Sequence, residues 1–148
     1  MEIERKFLLQ DLDPNELAGF PHQEIRQHYL AGSFGVRIRQ IGDRSELTIK
    51  GQGTRCRREI TKELTGAEYG ELLLLCDRGL VKQRYRVGPW EIDLFAGSLT
   101  GLVLAEVELG DPDEALPPFP FSSVQWTEVT QDLRYANTNL AWGHLPSR

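Results

Sequence analysis

Two glutamate pairs, Glu2-x-Glu4 and Glu106-x-Glu108, and many arginines and lysines at the same two-residue spacing are the residues best suited to chemistry. Lys6 extends the first pair, and Arg37 with Arg39, Thr48 with Lys50, and Lys82 with Arg84 and Arg86 repeat the step. Hard divalent cations take carboxylate oxygens and bridge phosphate oxygens. Arginine and lysine side chains converging from several directions suit a short polyanion, and arginine can grip phosphate bidentately. A triphosphate held beside a divalent cation would use both halves of this set. Splitting it asks mainly for positioning and charge stabilisation, with a metal ion lowering the pKa of a bound water. No Ser/His/Asp constellation is required, and His22, His28 and His144 have no supporting pattern around them.

Side chains two apart on a β-strand point the same way, so the spacing predicts strands with charged faces. Glu2, Glu4 and Lys6 share a face, with Ile3 and Phe7 opposite; Arg37 and Arg39 oppose Val36 and Ile38; Thr48 and Lys50 oppose Leu47 and Ile49. Arg55, Arg57, Glu59, Thr61 and Glu63 line up on a fifth segment, Lys82, Arg84 and Arg86 on a sixth, then Glu91 with Asp93, then Glu106 with Glu108. Solvated cross-strand ion pairs account for one or two such strands, not for nearly all of them. A barrel built from these strands gathers cations and carboxylates inside and turns its apolar faces outward. Unpaired buried charge is costly, so such a lumen must be wet or filled by compensating ions.

The elements that position these residues read as strands over Glu2–Leu8, Gln23–Leu30, Phe34–Ile41, Arg44–Lys50, Arg55–Leu64, Leu80–Val87, Trp90–Phe95 and Leu102–Leu109. Gly42-Asp43 and Gly88-Pro89 occupy tight hairpin turns. Thr65 and Glu68 form a capping box for a helix over Glu68–Asp77, with Gly79 just beyond, and this helix is expected to cover outward apolar surface. Shorter helices are expected near Pro14–Ala18 and Thr138–Trp142, and Asp111–Phe121, with four prolines, reads as an irregular connection. The class is mainly β (α+β), a barrel or sandwich with added helices.

At 148 residues the chain fits one domain, 1–148, with a sizeable core. It has no apolar run of membrane-spanning length, and MEIERKFLL is too charged for a signal peptide, so a cytoplasmic protein is expected. Cys56 and Cys76 allow one disulfide at most and lack metal-ligand spacing. A net charge of -5 argues against polyanionic partners in general. Local placement of charge decides binding, however.

The opening Glu2-Ile3-Glu4-Arg5-Lys6-Phe7-Leu8 resembles the E-x-E-x-K signature of the CYTH domain, the triphosphate tunnel metalloenzyme family. Further matches run in family order: Val36-Arg37-Ile38-Arg39, Leu47-Thr48-Ile49-Lys50, Arg57-Arg58-Glu59, Val81-Lys82-Gln83-Arg84-Tyr85, Trp90-Glu91-Ile92-Asp93, Ala105-Glu106-Val107-Glu108 and Glu128 through Asn137. E-x-E-x-K alone is a weak signal; the ordered series of basic and acidic pairs is a specific one.

The resemblance implies an eight-stranded antiparallel closed β-barrel, the triphosphate tunnel, with flanking helices and a divalent metal, Mg²⁺ or Mn²⁺. It implies metal ligands at Glu2, Glu4, Glu106 and Glu108. Lys6, Arg37, Arg39, Lys50, Arg57, Lys82 and Arg84 correspond to triphosphate-binding residues, with Arg134 added from the segment that helps close the tunnel. Glu59 and Asp93 correspond to groups positioning metal or water, and Lys82 joins them as a catalytic candidate. Tyr29 either lines the tunnel or packs. One departure is Thr61, which stands where the family often continues R-x-E-x-E. The short bacterial members imply hydrolysis of inorganic tripolyphosphate to pyrophosphate and phosphate. The alternatives are a nucleoside or thiamine triphosphatase, an adenylyl cyclase, or a non-catalytic polyphosphate-binding module. The expected partner is a small-molecule triphosphate, with no nucleic acid and no membrane; the oligomeric state is open, a homodimer included.

Overall fold

Alternation of charged and apolar residues produces one antiparallel sheet. The computed structural model describes residues 2–33, 35–52 and 56–147. Phe34 and Arg55, both placed on strands by the sequence, lie outside the described residues. The strands are β1 (Glu2–Gln10), β2 (His22–Leu30), β3 (Val36–Ile41), β4 (Arg44–Lys50), β5 (Cys56–Arg57), β6 (Glu59–Leu64), β7 (Cys76–Val87), β8 (Trp90–Phe95), β9 (Val103–Glu108) and β10 (Gln125–Glu128). They follow the order β10-β1-β9-β8-β7-β2-β3-β4-β6, with β5 returning to pair with β1.

The wall has the expected eight strands when β5 and β6, interrupted at Arg58, are counted as one and β10, which adds to the free edge of β1, is set apart. Among the described residues closure is slighter than a full barrel would give: Glu2↔Arg57 and Ile3↔Cys56 join β5 to β1. Farther along that edge the C-terminal segment takes over, with Val129 N–H donating to the Lys6 carbonyl at 2.9 Å and β10 pairing with Phe7–Gln10. The sheet is a half-barrel whose seam is bridged by the chain's own C-terminal portion.

Two hairpins turn as the sequence predicts. Ile41 pairs with Arg44 and Val87 with Trp90, and Gly42 and Gly88 have φ of 60° and 59°. Left-handed φ at the first turn residue suits the twist of the flanking strands and favours glycine.

Apolar side chains form two bodies. Outside the wall, Ile3, Phe7, Trp90, Ile92, Ala105 and Val107 pack beneath Leu17, Leu116, Phe119, Phe121 and Val124. The irregular proline-rich connection is thus a cover, and the Trp90 indole N–H donates to the Pro118 carbonyl at 3.0 Å. Inside the barrel, at one end, Tyr29, Leu80, Phe95 and Leu104 meet Val129, Tyr135, Leu140 and Ala141. This apolar plug leaves the charged part of the lumen toward the other end.

The helical elements differ from expectation. The helix expected over Glu68–Asp77 spans Gly66–Leu73 (α1), with its capping box formed: Glu68 N–H donates to Thr65 Oγ1 at 3.1 Å, and Thr65 N–H to Glu68 Oε1 at 2.9 Å. Its expected last turn is taken by β7, which starts at Cys76 and pairs with Leu30 of β2. Gly79 is no helix cap. It lies within β7 opposite His28, where a Cβ would fall 2.2 Å from the imidazole. Packing of α1 against β2, β3, β4 and β6 is partial, and Ile49 and Ile60 stay 48% and 70% exposed. Pro14–Leu17 makes a 3₁₀ turn, and α2 covers Asn137–Leu140. No described helix is long and apolar enough to cross a membrane.

Candidate active site

Strand register brings the charged faces into one cavity of about 300 Å³. Glu4 stands directly opposite Glu108, and Lys6 opposite Glu106, across β1 and β9. Glu91 of β8 flanks Glu106 on its other side. Arg37 and Arg39 of β3 lie between Thr48 and Glu46 of β4 and Tyr29 and Gln27 of β2. Arg84 of β7 pairs with Asp93 of β8. Lys50 faces Glu59, and at the seam Arg57 faces Glu2.

Eleven of the expected site residues line this cavity: Glu2, Glu4, Lys6, Arg37, Arg39, Lys50, Arg57, Glu59, Arg84, Glu106 and Glu108, and Tyr29 lines it too. Three expectations shift. Lys82 and Asp93, each 1% exposed, are not in the lining; Lys82 Nζ lies 2.8 Å from Asp93 Oδ2 and donates to Asn137 Oδ1 at 3.3 Å. The pair is buried behind the lining because the apolar plug shuts off that end. Arg134 turns away from the cavity: its guanidinium forks onto Asp132 and donates to the Ser147 carbonyl, with 53% of the side chain exposed. A carboxylate two residues away and open solvent are easier partners than a lumen already crowded with cations. Trp126 stacks on Phe119 at 4.8 Å on the outside, away from the cavity.

The carboxylates are engaged by cations. Lys50 Nζ donates to Glu2 Oε1 at 2.9 Å, and Arg57 reaches Glu2 at 3.3 Å and Glu4 at 3.2 Å. Glu106 lies 3.6 Å from Lys6 and 3.9 Å from Arg84. Arg84 forks onto Asp93 at 2.8 and 2.9 Å, and Arg39 onto Glu46 at 3.1 and 2.6 Å. Arg37 differs: its buried Nε has no partner, and it makes no ion pair with a described residue.

Titration shifts follow from this crowding. Burial, then the charges of Glu106 and Glu2, push Glu4 up to about 7. Burial also works against ionised Glu2 and Glu106, yet cations outweigh it. Glu2 is lowered by its hydrogen bond with Glu59 and by Lys50, and Glu106 is lowered by Lys6 and Arg84. Arg39 and Lys50 fall below their ordinary values through burial and then the charge of Arg37. Burial likewise lowers Lys82 to about 8, against the pull of Asp93. Around Glu4 the neighbouring carboxylates thus outweigh Arg57 and the lysines, and Arg37 has no carboxylate within ion-pair distance among the described residues.

Divalent-cation chemistry fits this donor set. Like charges directly opposite across a ladder are destabilising, and a cation taking oxygen ligands would relieve the Glu4–Glu108 pair beside Glu106. The described carboxylates are nonetheless engaged by Lys and Arg rather than drawn around one point. Thr61, on the inward face, hydrogen-bonds Thr48 Oγ1 at 3.1 Å and Glu59 Oε1 at 3.3 Å.

The sequence reading missed part of the site. Glu46 and Arg44 line the cavity on the same face as Thr48 and Lys50, so carrying the two-residue step farther back would have found them. Thr130, Asp132, Asn137 and Thr138 also line it, from a stretch with no strand periodicity to mark them.

Comparison with known proteins adds independent findings. The model of the CYTH domain matches residues 1–115. An inorganic triphosphatase of Acetivibrio thermocellus is 34% identical over 148 residues, 94% of this chain and 92% of that protein. Another, of Nitrosomonas europaea, is 35% identical over 153 residues, covering 95% and 96%. The crystal structure of the inorganic triphosphatase NE1496 superposes with a TM-score of 0.64 at 31% identity, covering 99% of this chain and 97% of that one. A conserved hypothetical protein of Pyrococcus furiosus, 19% identical with a TM-score of 0.55, shares the fold over 76% of this chain and 82% of its own.

Proposed function

The chain belongs to the CYTH domain family, and from that premise we propose that it is a divalent-metal-dependent triphosphatase splitting inorganic tripolyphosphate into pyrophosphate and phosphate. The observation that carries this reading is a single cavity in which a buried, partnerless Arg37 Nε shares the space with the facing carboxylates Glu4 and Glu108. The first has an unanswered donor and the second an excess of carboxylate charge, both of which a metal–polyphosphate complex would answer.

In this reading Lys6, Arg37, Arg39, Lys50, Arg57 and Arg84 hold the triphosphate, each already preset by strand pairing and most by a carboxylate partner. Preset cations need little reorganisation as charge develops on the phosphoryl oxygens. Glu2, Glu4, Glu106 and Glu108 would hold Mg²⁺ or Mn²⁺, which when bound neutralises phosphate charge and acidifies water. Glu59, half-exposed beside Lys50, is suited to orient water. Lys82 and Asp93 support the floor of the site, with Asp93 fixing the Arg84 fork. Arg134 takes no part in contacting phosphate.

The whole chain, 1–148, acts as one domain, because residues 129–138 line the same cavity as β1 to β9. That wall leaves little room for a nucleoside or thiamine group, which favours an inorganic substrate over nucleic acid or nucleotides. Work in the cytoplasm agrees with two free thiols. The test is phosphate release from tripolyphosphate, ATP and thiamine triphosphate, each with Mg²⁺, Mn²⁺ or EDTA. Dominant tripolyphosphate turnover that vanishes in EDTA is expected. Preference for ATP would make the protein a nucleotidase, and binding without turnover would make it a polyphosphate receptor.

A further inference from the structure

Arg78 lies on the inward-facing side of β7, two residues before Leu80 and four before Lys82, and is only 6% exposed. It does not line the cavity, yet its guanidinium ties together three pieces that do or that flank it. Nη2 donates to the Ser33 carbonyl at 2.7 Å and to Thr138 Oγ1 at 2.6 Å, and Nε donates to the Thr138 carbonyl at 2.8 Å. The same plane sits 5.2 Å from the Tyr29 ring and 4.9 Å from the Trp142 ring. Among the described residues no other hydrogen bond links the Ser33 turn to residues 137–138.

We propose that Arg78 is a positioning residue that latches the C-terminal wall across the end of the tunnel and thereby sets its selectivity for unsubstituted triphosphates. The wall is anchored at its start by Val129 and Thr130 on Lys6 and, past the cavity, by Gly79 N–H on the Ala141 carbonyl. Between these points it has Lys6 Nζ on the Tyr135 carbonyl, Asn137 on Lys82, and the Arg78 fork. The first two bonds belong to lysines that answer to carboxylates as well, and Arg78 likewise donates through Nη1 to Asp77 Oδ1 at 2.7 Å, on the far side of the fork from Ser33 and Thr138. Among the described residues Arg78 is the one whose hydrogen bonds join Ser33 of the β2–β3 turn to the wall, so it fixes the separation between them. Ser33 Oγ in turn accepts from Val36 N–H, which sets the start of the strand carrying Arg37.

The need for arginine follows from geometry. A planar fork serves several oxygens in different directions while stacking on aromatic faces, whereas an ammonium can do only part of this. Released, the wall would swing from the turn and admit an organic group on the terminal phosphate. Phosphate-holding residues would be unchanged, so selectivity should move more than turnover of the small substrate.

The inference rests on the triphosphatase reading, and one experiment separates them. Tripolyphosphate kinetics and the Ki of ATP against that reaction are measured for wild type, Arg78→Lys and Trp142→Ala, with unfolding temperature recorded for each. Arg78→Lys should lower the ratio of ATP Ki to tripolyphosphate KM about tenfold, within the range that pocket contacts discriminate. Trp142→Ala, which removes an exposed ring from the latch and should fold regardless, should move the ratio the same way by a smaller factor. General loss of folded protein scales kcat and leaves this ratio alone. Ratios equal to wild type in both variants would overturn the latch while leaving the triphosphatase intact. A wild type that neither binds nor turns over tripolyphosphate would overturn both.

Discussion

Replacing Glu4 by glutamine should stabilise the metal-free protein while abolishing its response to metal. Glu4 stands opposite Glu108, with Glu106 and Glu2 also near and Arg57 as its nearest cation at 3.2 Å. Its carboxyl is held at about 7, against an ordinary 4.5. At about 1.4 kcal/mol per pKa unit, ionising it in the fold costs at most about 3.5 kcal/mol more than in the unfolded chain. The sign follows from proton counting. Between pH 4.5 and 7 the unfolded chain loses a proton that the fold retains, so stability falls as pH rises through that window and stays lower above it. Glutamine removes this fall and keeps a hydrogen-bond acceptor for Arg57. Allowing half for relaxation and water entry, the gain at pH 8 is about 1 to 2 kcal/mol, or roughly 2 to 8 °C in Tm for a chain of this size. At pH 5 the gain should nearly vanish. The assay is thermal unfolding in EDTA at both pH values, repeated with Mn²⁺, alongside phosphate release. Wild type should gain Tm with Mn²⁺, whereas the variant should gain little and lose turnover. A variant less stable than wild type at pH 8 in EDTA, or one that Mn²⁺ still stabilises and activates fully, would refute the electrostatic account of Glu4.

Arg39→Ala should lower kcat/KM for tripolyphosphate about 10- to 1,000-fold, the scale of removing one preorganised charged group, and leave Glu46 without its fork; an unchanged kcat/KM would mean that Arg39 serves Glu46 alone. Asp93→Asn strands two cations, Lys82 and Arg84, in a buried setting, and should cost about 3 to 5 kcal/mol by urea unfolding. Adding Lys82→Met should recover part of that loss but not all, because the Arg84 fork remains unanswered. Full additivity of the two changes would count against a coupled buried pair. Gly79→Ala should destabilise by at least about 1 to 3 kcal/mol through overpacking on His28, read as a shift in urea midpoint.

How far the sequence could be read depended on what kind of signal each element carries. The barrel strands were visible because their two faces differ in chemistry as well as in polarity: Glu2, Glu4 and Lys6 against Ile3 and Phe7 admit one register only. The end of α1 was not visible. Leu72 to Asp77 suits a helix by local propensity, and only pairing with β2, decided many residues away, makes a strand of Cys76–Val87. The retreat of Lys82 and Asp93 from the cavity was equally hidden, since a same-face series says which way side chains point but not where the plug ends. Arg134 points elsewhere for a local reason: Asp132 offers it a carboxylate two residues away, and 53% of its side chain stays in solvent.

The stretch from Val129 to Thr138 shows why the remainder of the site escaped. Its residues reach the cavity through 3₁₀ and helical turns, so no period marks them, and each is held by a bond whose partner is distant in sequence: Thr130 and Tyr135 by Lys6, Asn137 by Lys82, Thr138 by Arg78. Two of those four bonds, Lys6 Nζ to Tyr135 and Lys82 Nζ to Asn137, come from cations that the strand pattern had already assigned to phosphate or to the lumen, and the Thr130 bond comes from the backbone N–H of Lys6. The inner face of the barrel therefore does two jobs with one set of charges. Its lysines and arginines provide sites for a polyanion, and they also recruit the backbone carbonyls of the C-terminal segment to close one end. A substitution on that face should for this reason report on closure as well as on phosphate, and the two effects separate only by comparing a small substrate with a bulky one.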